Sequence, residues 1–283
     1  MAGILWLASY PKSGNTWLRA FLANYIHNSS EPVPLNDLPR FVAGDHRQFE
    51  YEEFLGRKLD GMTPEEILRL RAEFHTWLAN WQAHTTLVKT HNACITVDGQ
   101  PLITPAATAG AVYVARNPLD LAVSFSHHFQ VSIEHAVEIL CDHRKTLPPS
   151  AGNLTVFLGS WSGHVHSWLA APGMKRHVVR YEDLCRAPTK AFSDLVRFVE
   201  QPVDRARIER AIGFSSFGAL SKQEKSGGFV EARPDGKARF FRAGKVGVWR
   251  KRLTKQQVAR LVEVHGPVMR RLGYLTEDLK IAV

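Results

Sequence analysis

Residues 9–17, of sequence SYPKSGNTW, have the composition of a loop that binds a phosphate. An apolar run at 4–8 precedes them and predicts a buried strand, and apolar residues at helical spacing follow them. Gly14 lets the backbone pass close to a ligand, and the amides at the start of the following helix favour an anion. Lys12 adds a positive charge and Thr16 a hydroxyl. The alternative interpretation is a capped helix with an incidental lysine.

The order of residues in this loop differs from the Walker pattern. In that pattern, Gly-x-x-x-x-Gly-Lys-Ser/Thr, the lysine follows the second glycine. Here Lys12 precedes Gly14. The loop therefore predicts phosphate binding without the signature of a nucleoside triphosphatase.

Arg116 follows the apolar run 111–115, and Ser124 comes eight residues after it. In phosphate-loop nucleotidases a carboxylate at such a strand end holds Mg²⁺. A guanidinium instead matches a phosphate bidentately and stays charged. We therefore expect Arg116 to bind a second phosphate directly, without a metal. The alternative is a surface ion pair between Arg116 and Asp120.

Lys89 and His91 stand at the end of another predicted strand, which includes residues 86–88. Ligands of α/β proteins bind at the carboxyl ends of parallel strands. The ordinary pKa of histidine, roughly 6.5, suits a general base at neutral pH. The alternative for His91 is a structural role, since the chain has 13 histidines.

Residues 242–251, RAGKVGVWRK, form a fourth candidate segment. Gly244 and Gly247 free the backbone to surround a phosphate, and basic side chains flank them. A solvated basic turn is the alternative. This segment closes the stretch 221–244, which is rich in Lys, Glu, Gly and Arg and which we expect to be a mobile loop.

Strand-like runs alternate with helical patterns, which predicts an α/β fold with a central parallel sheet flanked by helices. Thr63 and Glu66 predict the start of one of these helices, with Pro64 in its first turn. We expect residues 1–283 to form a single domain.

The composition narrows the class of protein. The chain of 283 residues is 45% hydrophobic and 22% charged, which excludes disorder, collagen and coiled coil. No apolar run reaches the ~18–20 residues of a transmembrane helix, and no signal peptide is recognisable. Three cysteines without a Cys-x-x-Cys pair favour a reducing cytoplasm over a disulfide framework.

A net charge of +9 leaves several anionic partners open. A non-enzymatic protein that binds nucleic acid would need an exposed stripe of cations with interleaved aromatics. The candidate cations here lie at strand and loop ends instead, which favours a pocket and no nucleic acid. A small-molecule kinase is the second alternative. The order of residues in the 9–17 loop, which differs from the Walker pattern, argues against it.

In their order along the chain, the four segments resemble the cytosolic-type sulfotransferases that use 3′-phosphoadenosine 5′-phosphosulfate (PAPS). The resemblance covers Ile4 to about Lys251 and looks closest to the bacterial branch that acts on small molecules, which includes the glycopeptide-antibiotic sulfotransferases. It implies a P-loop-like sulfotransferase fold. The positions that match the family's donor-binding residues are Lys12, Ser13, Gly14, Asn15, Thr16 and Trp17 for the 5′-phosphosulfate, Arg116, Ser124, Arg242, Ala243 and Gly244 for the 3′-phosphate, and Tyr181 and Phe217 on the adenine side.

The resemblance also implies the reaction, an in-line transfer of a sulfuryl group from PAPS to a hydroxyl of a small-molecule acceptor, with no metal. His91 matches the general base and Lys89 its companion lysine, while Lys12 stabilises the leaving phosphate and Ser124 holds Lys12 away until the acceptor arrives. Segments 28–81 and 127–161 lie outside the donor motifs, so we expect them to build the acceptor site.

The sequence departs from the family pattern at several positions. Asn15 stands where threonine is common, Ala243 where lysine is frequent, and Val248 where aspartate is usual. The family's dimer motif is not preserved around Lys251 and Thr254. The resemblance therefore gives no oligomeric state for this chain.

Overall fold

The structure is a computed structural model that describes residues 3–150, 152–232, 239–242, 244–278 and 280–282. Ala243, one of the expected donor-binding residues, lies outside the described residues. The chain divides into two units. The first consists of Met1–Tyr10, Val42–Tyr113 and Asp142–Val178, and the second of Pro11–Phe41, Val114–Cys141 and Val179–Val283.

The strands, in chain order, are β1 (Gly3–Ser9), β2 (Ala43–Gly44), β3 (Thr85–Thr90), β4 (Thr96–Val97), β5 (Gln100–Pro101), β6 (Thr108–Ala115), β7 (Thr146–Leu147), β8 (Val156–Phe157) and β9 (Arg176–Arg180). The helices are α1 (Asn15–His27), α2 (Leu38–Phe41), α3 (Gln48–Leu55), α4 (Pro64–Ala79), α5 (Pro118–Phe129), α6 (Ile133–Cys141), α7 (Trp161–Ala170), α8 (Tyr181–Arg186), α9 (Pro188–Phe198), α10 (Arg205–Phe214), α11 (Phe217–Gly227) and α12 (Lys255–Arg271). Short 3₁₀ helices occur at Leu35–Asp37, Pro105–Ala107 and Val248–Lys251.

Five strands form one sheet in the order β2-β3-β1-β6-β9. β3 pairs in parallel with β1 on one side and with β2 on the other. Ile4 to Ala8 of β1 are at most 1% exposed, as expected for a central strand that is covered on both faces. The expected central parallel sheet with flanking helices is thus confirmed.

Several candidate site residues lie at the carboxyl ends of strands of this sheet. In the first unit, β1 ends at Ser9 and β3 at Thr90, so His91 follows β3 directly. The last residues of β6 fall in the second unit, where Arg116 comes next in the chain. Each of these side chains is therefore positioned by the strand that precedes it in the sequence.

Helix α4 of the first unit begins as its sequence predicts. The Thr63 hydroxyl accepts a hydrogen bond from the Glu66 amide, and the Glu66 carboxylate accepts one from the Thr63 amide. Two polar side chains of this helix, Arg71 and His75, are buried.

Helices α1, α2, α5, α6 and α8 to α12 lie in the second unit. One of its apolar clusters packs α1 against residues 33–38 and α11, and includes Ala20, Leu35, Leu220 and Phe229. Residues 221–227, expected as part of a loop, are the last residues of α11. The mobility of the 221–244 stretch and the single-domain organisation stay predictions. None of the helices in the described part of the chain is both long and apolar enough to cross a membrane.

Candidate active site

The loop between β1 and α1 has two residues in the left-handed backbone region. Lys12 has a φ of 69° and Gly14 a φ of 107°. Gly14 is the N-cap of α1, and no side chain caps the helix there. The first amides of α1 therefore have no intrahelical partner and can donate to an anion. The buried Ser13 hydroxyl, too, has no hydrogen-bond partner among the described residues.

Gly14 packs against the ring of Tyr181, the first residue of α8. A Cβ added to Gly14 would lie 2.7 Å from Tyr181 Cδ2. The Trp17 ring meets the same tyrosine edge-on, with 5.8 Å between the centroids. Glycine at position 14 is thus required both by its φ and by this close approach, and Tyr181 is part of the loop's surroundings.

Arg116 connects three of the expected donor-binding elements. Its Nη1 donates a 3.0 Å hydrogen bond to the Lys12 carbonyl, and its Nη2 donates to the Lys245 carbonyl at 3.4 Å. Its Cζ lies 4.3 Å from the centroid of the Tyr181 ring, a cation–π contact. Its Nε is buried and has no partner in the described part of the chain. The guanidinium therefore holds the loop, the 245 segment and Tyr181 together.

The alternative of an Arg116–Asp120 ion pair is not observed. The Asp120 carboxylate, which is 2% exposed, accepts hydrogen bonds from the Gly247 amide at 2.6 Å and the Trp249 amide at 2.9 Å. Asp120 thus fixes the 247–249 turn, and within the described residues it makes no ion pair with Arg116. This leaves the charge of Arg116 available to a ligand.

Gly244 and Phe217 are in contact. Gly244 has a φ of 59°, and a Cβ added there would overlap the Phe217 ring. The amides of Phe240 and Phe241 donate to the Glu224 carboxylate on α11, which fixes the start of this segment. Phe217, expected on the adenine side, is thus next to Gly244, expected at the 3′-phosphate.

The cations of the second unit share one electrostatic environment. Partial burial and the positive charges of Arg252 and Arg116 lower the pKa of Arg242. Burial lowers the pKa of His127, and Arg242, Lys12 and Arg252 lower it further. Such a concentration of positive charge is what a doubly phosphorylated ligand requires.

Three contacts in this unit were not predicted from the sequence. The Lys12 Nζ lies 3.5 Å from the centroid of the Phe240 ring. The fully buried Arg19 donates bidentately to Glu231, at 2.8 and 2.6 Å, and its Nη2 also donates to the Thr16 hydroxyl at 3.1 Å. A basic residue on the apolar face of a predicted helix was the available signal for Arg19.

His91 in the first unit has a defined tautomer. Its Nδ1 lies 2.8 Å from the Ser9 carbonyl, which can only accept a hydrogen bond. Nδ1 therefore carries the proton and Nε2 the lone pair, as a general base needs. The residue is half-buried, directly after β3.

His164 supports the backbone at His91. Its Nε2 donates to the His91 carbonyl at 3.0 Å, so its Nδ1 accepts from the Tyr113 hydroxyl at 2.9 Å. Burial lowers the pKa of His164 to about 4, against the raising effect of the hydrogen bond to His91. The neutral ring is thus the form that makes both hydrogen bonds.

The expected site residues divide between the two units. Lys89, which is 8% exposed near the end of β3, lies with His91 in the first unit. All described donor-binding residues lie in the second unit, where Ser124 is half-buried in the second turn of α5. No group of three or more His, Cys, Asp or Glu among the described residues could hold a metal ion.

Comparisons with known proteins agree on one family. The model of the sulfotransferase domain matches residues 4–273. Cytosolic sulfotransferase 5 of Arabidopsis thaliana is 26% identical over 259 residues, covering 88% of this chain and 74% of the relative. Sulfotransferase 2A1 of Macaca fascicularis is 24% identical over 258 residues, covering 89% and 79%.

Solved structures share the fold. Mouse sulfotransferase SULT7A1 complexed with PAP superposes with a TM-score of 0.60 at 19% identity, covering 95% of this chain and 84% of the mouse chain. Retinol dehydratase in complex with androsterone and the inactive cofactor PAP gives a TM-score of 0.63 at 19% identity, covering 94% and 80%. The fold expected from the resemblance is thereby confirmed.

Proposed function

The chain belongs to the sulfotransferase family and is a sulfotransferase, and we propose that it transfers a sulfuryl group from PAPS to a hydroxyl of a small-molecule acceptor. The observation that carries the choice of donor is the position of Arg116, which binds the backbone of the Lys12 loop and stacks on Tyr181. A guanidinium at this strand end selects a phosphate rather than a metal ion.

The 5′-phosphosulfate binds at the start of α1. Residues 13–17 supply amides, the Ser13 and Thr16 hydroxyls supply further donors, and Lys12 supplies a charge. The unpartnered Ser13 hydroxyl fits this role, because a buried hydroxyl without a partner is unfavourable until a ligand satisfies it. The Arg19–Thr16 hydrogen bond orients the threonine hydroxyl.

The 3′-phosphate binds to Arg116, Ser124 and Arg242, with backbone amides at 243 and 244. The lowered pKa of Arg242, caused by partial burial and neighbouring guanidiniums, supports a binding site for an anion at this position. Tyr181 and Phe217 contact the adenine side. This phosphate distinguishes PAPS from ATP.

In the reaction, the acceptor oxygen attacks the sulfur of PAPS in line with the leaving phosphate. A new S–O bond forms, the S–O bond to the 5′-phosphate breaks, and His91 Nε2 takes the acceptor proton. The products are a sulfate ester, adenosine 3′,5′-bisphosphate and protonated His91. Lys12 and Thr16 neutralise the leaving oxygen, Lys89 the transferred group, and preorganised charges of this kind supply the main stabilisation of such a transition state. Ser124 holds Lys12 away until the acceptor binds.

The names of relatives and neighbours support this assignment. Three solved structures, of two neighbours, contain PAP, and retinol dehydratase is found with retinol and with androsterone. The corresponding proposal here is a small organic acceptor. Several curated relatives are called cytosolic, which supports a cytoplasmic location. The bacterial branch and independence from metal ions are further parts of the proposal.

A direct test incubates the protein with ³⁵S-labelled PAPS and a panel of phenols, sugars, lipids and glycopeptides. We expect label in a product without added metal. His91→Ala should remove nearly all turnover while the affinity for adenosine 3′,5′-bisphosphate stays within a few fold. His135→Ala is the matched control, since His135 is exposed and its ring pairs with Glu138 on its own helix. A fully active His91→Ala enzyme would reject the base, and Mg²⁺-dependent ATP turnover without sulfuryl transfer would reject the donor.

A further inference from the structure

Asp45 is a buried carboxylate of the first unit that the proposed reaction does not use. It follows β2 directly and is fully buried. Its amide donates a 3.2 Å hydrogen bond to the Lys89 carbonyl, which continues the pairing of β2 with β3. The backbone of Asp45 therefore lies beside the end of β3, where the chain continues into His91.

The Asp45 side chain contacts the residues on both sides of His91. Its Oδ2 accepts hydrogen bonds from the Thr90 hydroxyl and from the Asn92 side-chain amide, at 2.8 Å each. The Thr90 oxygen in turn accepts a hydrogen bond from the Asn92 backbone amide at 2.9 Å. Thr90 and Asn92 are both fully buried. One carboxylate oxygen thus connects the two neighbours of the proposed base.

The charge of Asp45 strengthens these hydrogen bonds. Arg71 on α4 donates to the same oxygen at 3.2 Å, and His46 Nδ1 lies 3.3 Å from Oδ1. Burial raises the pKa of Asp45, but the hydrogen bond from His46 and the charge of Arg71 outweigh burial, so this pKa lies below its ordinary value. Hydrogen bonds to an ionised carboxylate are roughly twice as strong as those between neutral groups.

The hydrogen bond that fixes the tautomer of His91 depends on the position of the His91 backbone. The ring donates from Nδ1 to the Ser9 carbonyl at the end of β1, at 2.8 Å. A displacement of residues 90–92 relative to β1 lengthens or bends this hydrogen bond, which weakens it steeply. The ring can then carry its proton on Nε2 instead, and in that form Nε2 has no lone pair for a substrate proton.

We propose that Asp45 is a positioning residue for the general base. Through Thr90 and Asn92 it holds the segment 89–92 in place, so that His91 keeps its proton on Nδ1 and its lone pair on Nε2. Asp45 acts through the residues that flank His91 and touches neither the donor nor the acceptor in this role. The inference rests on the proposed function, because it takes His91 as the base.

The test follows the tautomer of His91 by ¹⁵N–¹H correlation spectroscopy of the histidine rings in nucleotide-free protein. The signals of His91, one of 13 histidines, are identified by their loss in His91→Ala. We expect a single Nδ1–H tautomer in the wild type and the loss of that single pattern in Asp45→Ala. Because Asp45→Ala leaves buried Arg71 without its charged partner and can fail to fold, a second variant carries the test.

The second variant is Thr90→Val, which keeps the shape of the side chain and removes its hydroxyl. We expect a mixture of both tautomers in Thr90→Val and the single tautomer in Thr90→Ser, which restores the hydroxyl. Thr104→Val is the matched control. The Thr104 hydroxyl is hydrogen-bonded to buried His75 at 2.9 Å, in the segment before β6. This control loses a similar buried hydrogen bond and should keep the single tautomer.

Turnover provides a second measurement. In the labelled-PAPS assay, kcat of Thr90→Val should fall about tenfold, the effect of one lost hydrogen bond, while Thr90→Ser restores it. The affinity for adenosine 3′,5′-bisphosphate should not change in either variant, because Thr90 lies outside the donor site. Melting temperatures verify that the threonine variants fold.

The inference is overturned by two tautomers of His91 in the wild type, by a single tautomer or unchanged kcat in Thr90→Val, or by a mixture in Thr104→Val. If the nucleotide binds and an acceptor is labelled, any of these results rejects this inference alone. If the nucleotide does not bind or no acceptor is labelled, the proposed function fails. The tautomer patterns, measured without nucleotide, then decide by themselves whether Asp45 positions the ring.

Discussion

Substitution of Gly14 by alanine tests how the phosphate loop is built. Alanine at a φ of 107° is strained, which costs about 1–2 kcal/mol. The added Cβ also lies 2.7 Å from Cδ2 of the Tyr181 ring, which is 7% exposed and cannot move freely. Overpacking of this kind costs about 1–3 kcal/mol. Gly14→Ala should therefore lower the free energy of unfolding by about 2–5 kcal/mol.

The control is Gly56→Ala. Gly56 has a φ of 66° and nothing within 4 Å of an added Cβ, so only the backbone strain applies and the loss should be about 1–2 kcal/mol. Urea unfolding of both variants gives the two values. Affinity for adenosine 3′,5′-bisphosphate should fall in Gly14→Ala and stay unchanged in Gly56→Ala.

A double-mutant cycle separates the two causes. In a Tyr181→Ala background the ring is absent, so Gly14→Ala should cost about 1–3 kcal/mol less than in the wild type. Additive effects of the two substitutions, together with equal losses in Gly14→Ala and Gly56→Ala, would refute the close packing of the loop on Tyr181.

Two further predictions concern buried polar groups. The pKa of His164 is about 4 in the folded protein and ordinarily 6.5, so its neutral form contributes stability above pH 6.5 that is lost as the pH falls towards 4. Urea unfolding between pH 7 and 4 should show a smaller loss of stability in His164→Gln than in the wild type. An identical pH slope in the variant would contradict this assignment. Glu231→Gln should lower the free energy of unfolding by about 3 kcal/mol because it removes the charged partner of fully buried Arg19. The control is Glu263→Gln, in an exposed pair with Arg260, which should lower it by less than about 1 kcal/mol in the same assay. Equal losses in the two variants would contradict the importance of the buried pair.

The sequence predicted those parts of the fold that depend on local patterns. The apolar runs at 4–8 and 111–115 lie in β1 and β6, and Thr63 caps α4, because burial on both faces and helix capping leave signals within a few residues. Lys12, Gly14 and Arg116 were recognised by residue type at strand ends. The structure brings the loop, Arg116 and Tyr181 into contact.

The contacts between distant segments could not be predicted in this way. Arg19 and Glu231 are 212 positions apart, and Asp45 and Asn92 are 47 apart. No spacing rule connects such residues, since only the folded backbone brings them together. The prediction of a loop at 221–227 is wrong, because a composition rich in Lys, Glu, Gly and Arg does not exclude the helix that these residues complete.

The most direct test of the account is whether the protein recognises a 3′-phosphate through Arg116. Calorimetric titration without added metal compares adenosine 3′,5′-bisphosphate with adenosine 5′-phosphate. The wild-type protein should bind the bisphosphate about a hundredfold more tightly, the effect of a bidentate charged contact, and Arg116→Ala should lose most of that preference. Arg186→Ala, on exposed α8 surface, is the control and should keep it. Equal affinity of the wild-type protein for the two nucleotides, or an unchanged preference in Arg116→Ala, would contradict the account.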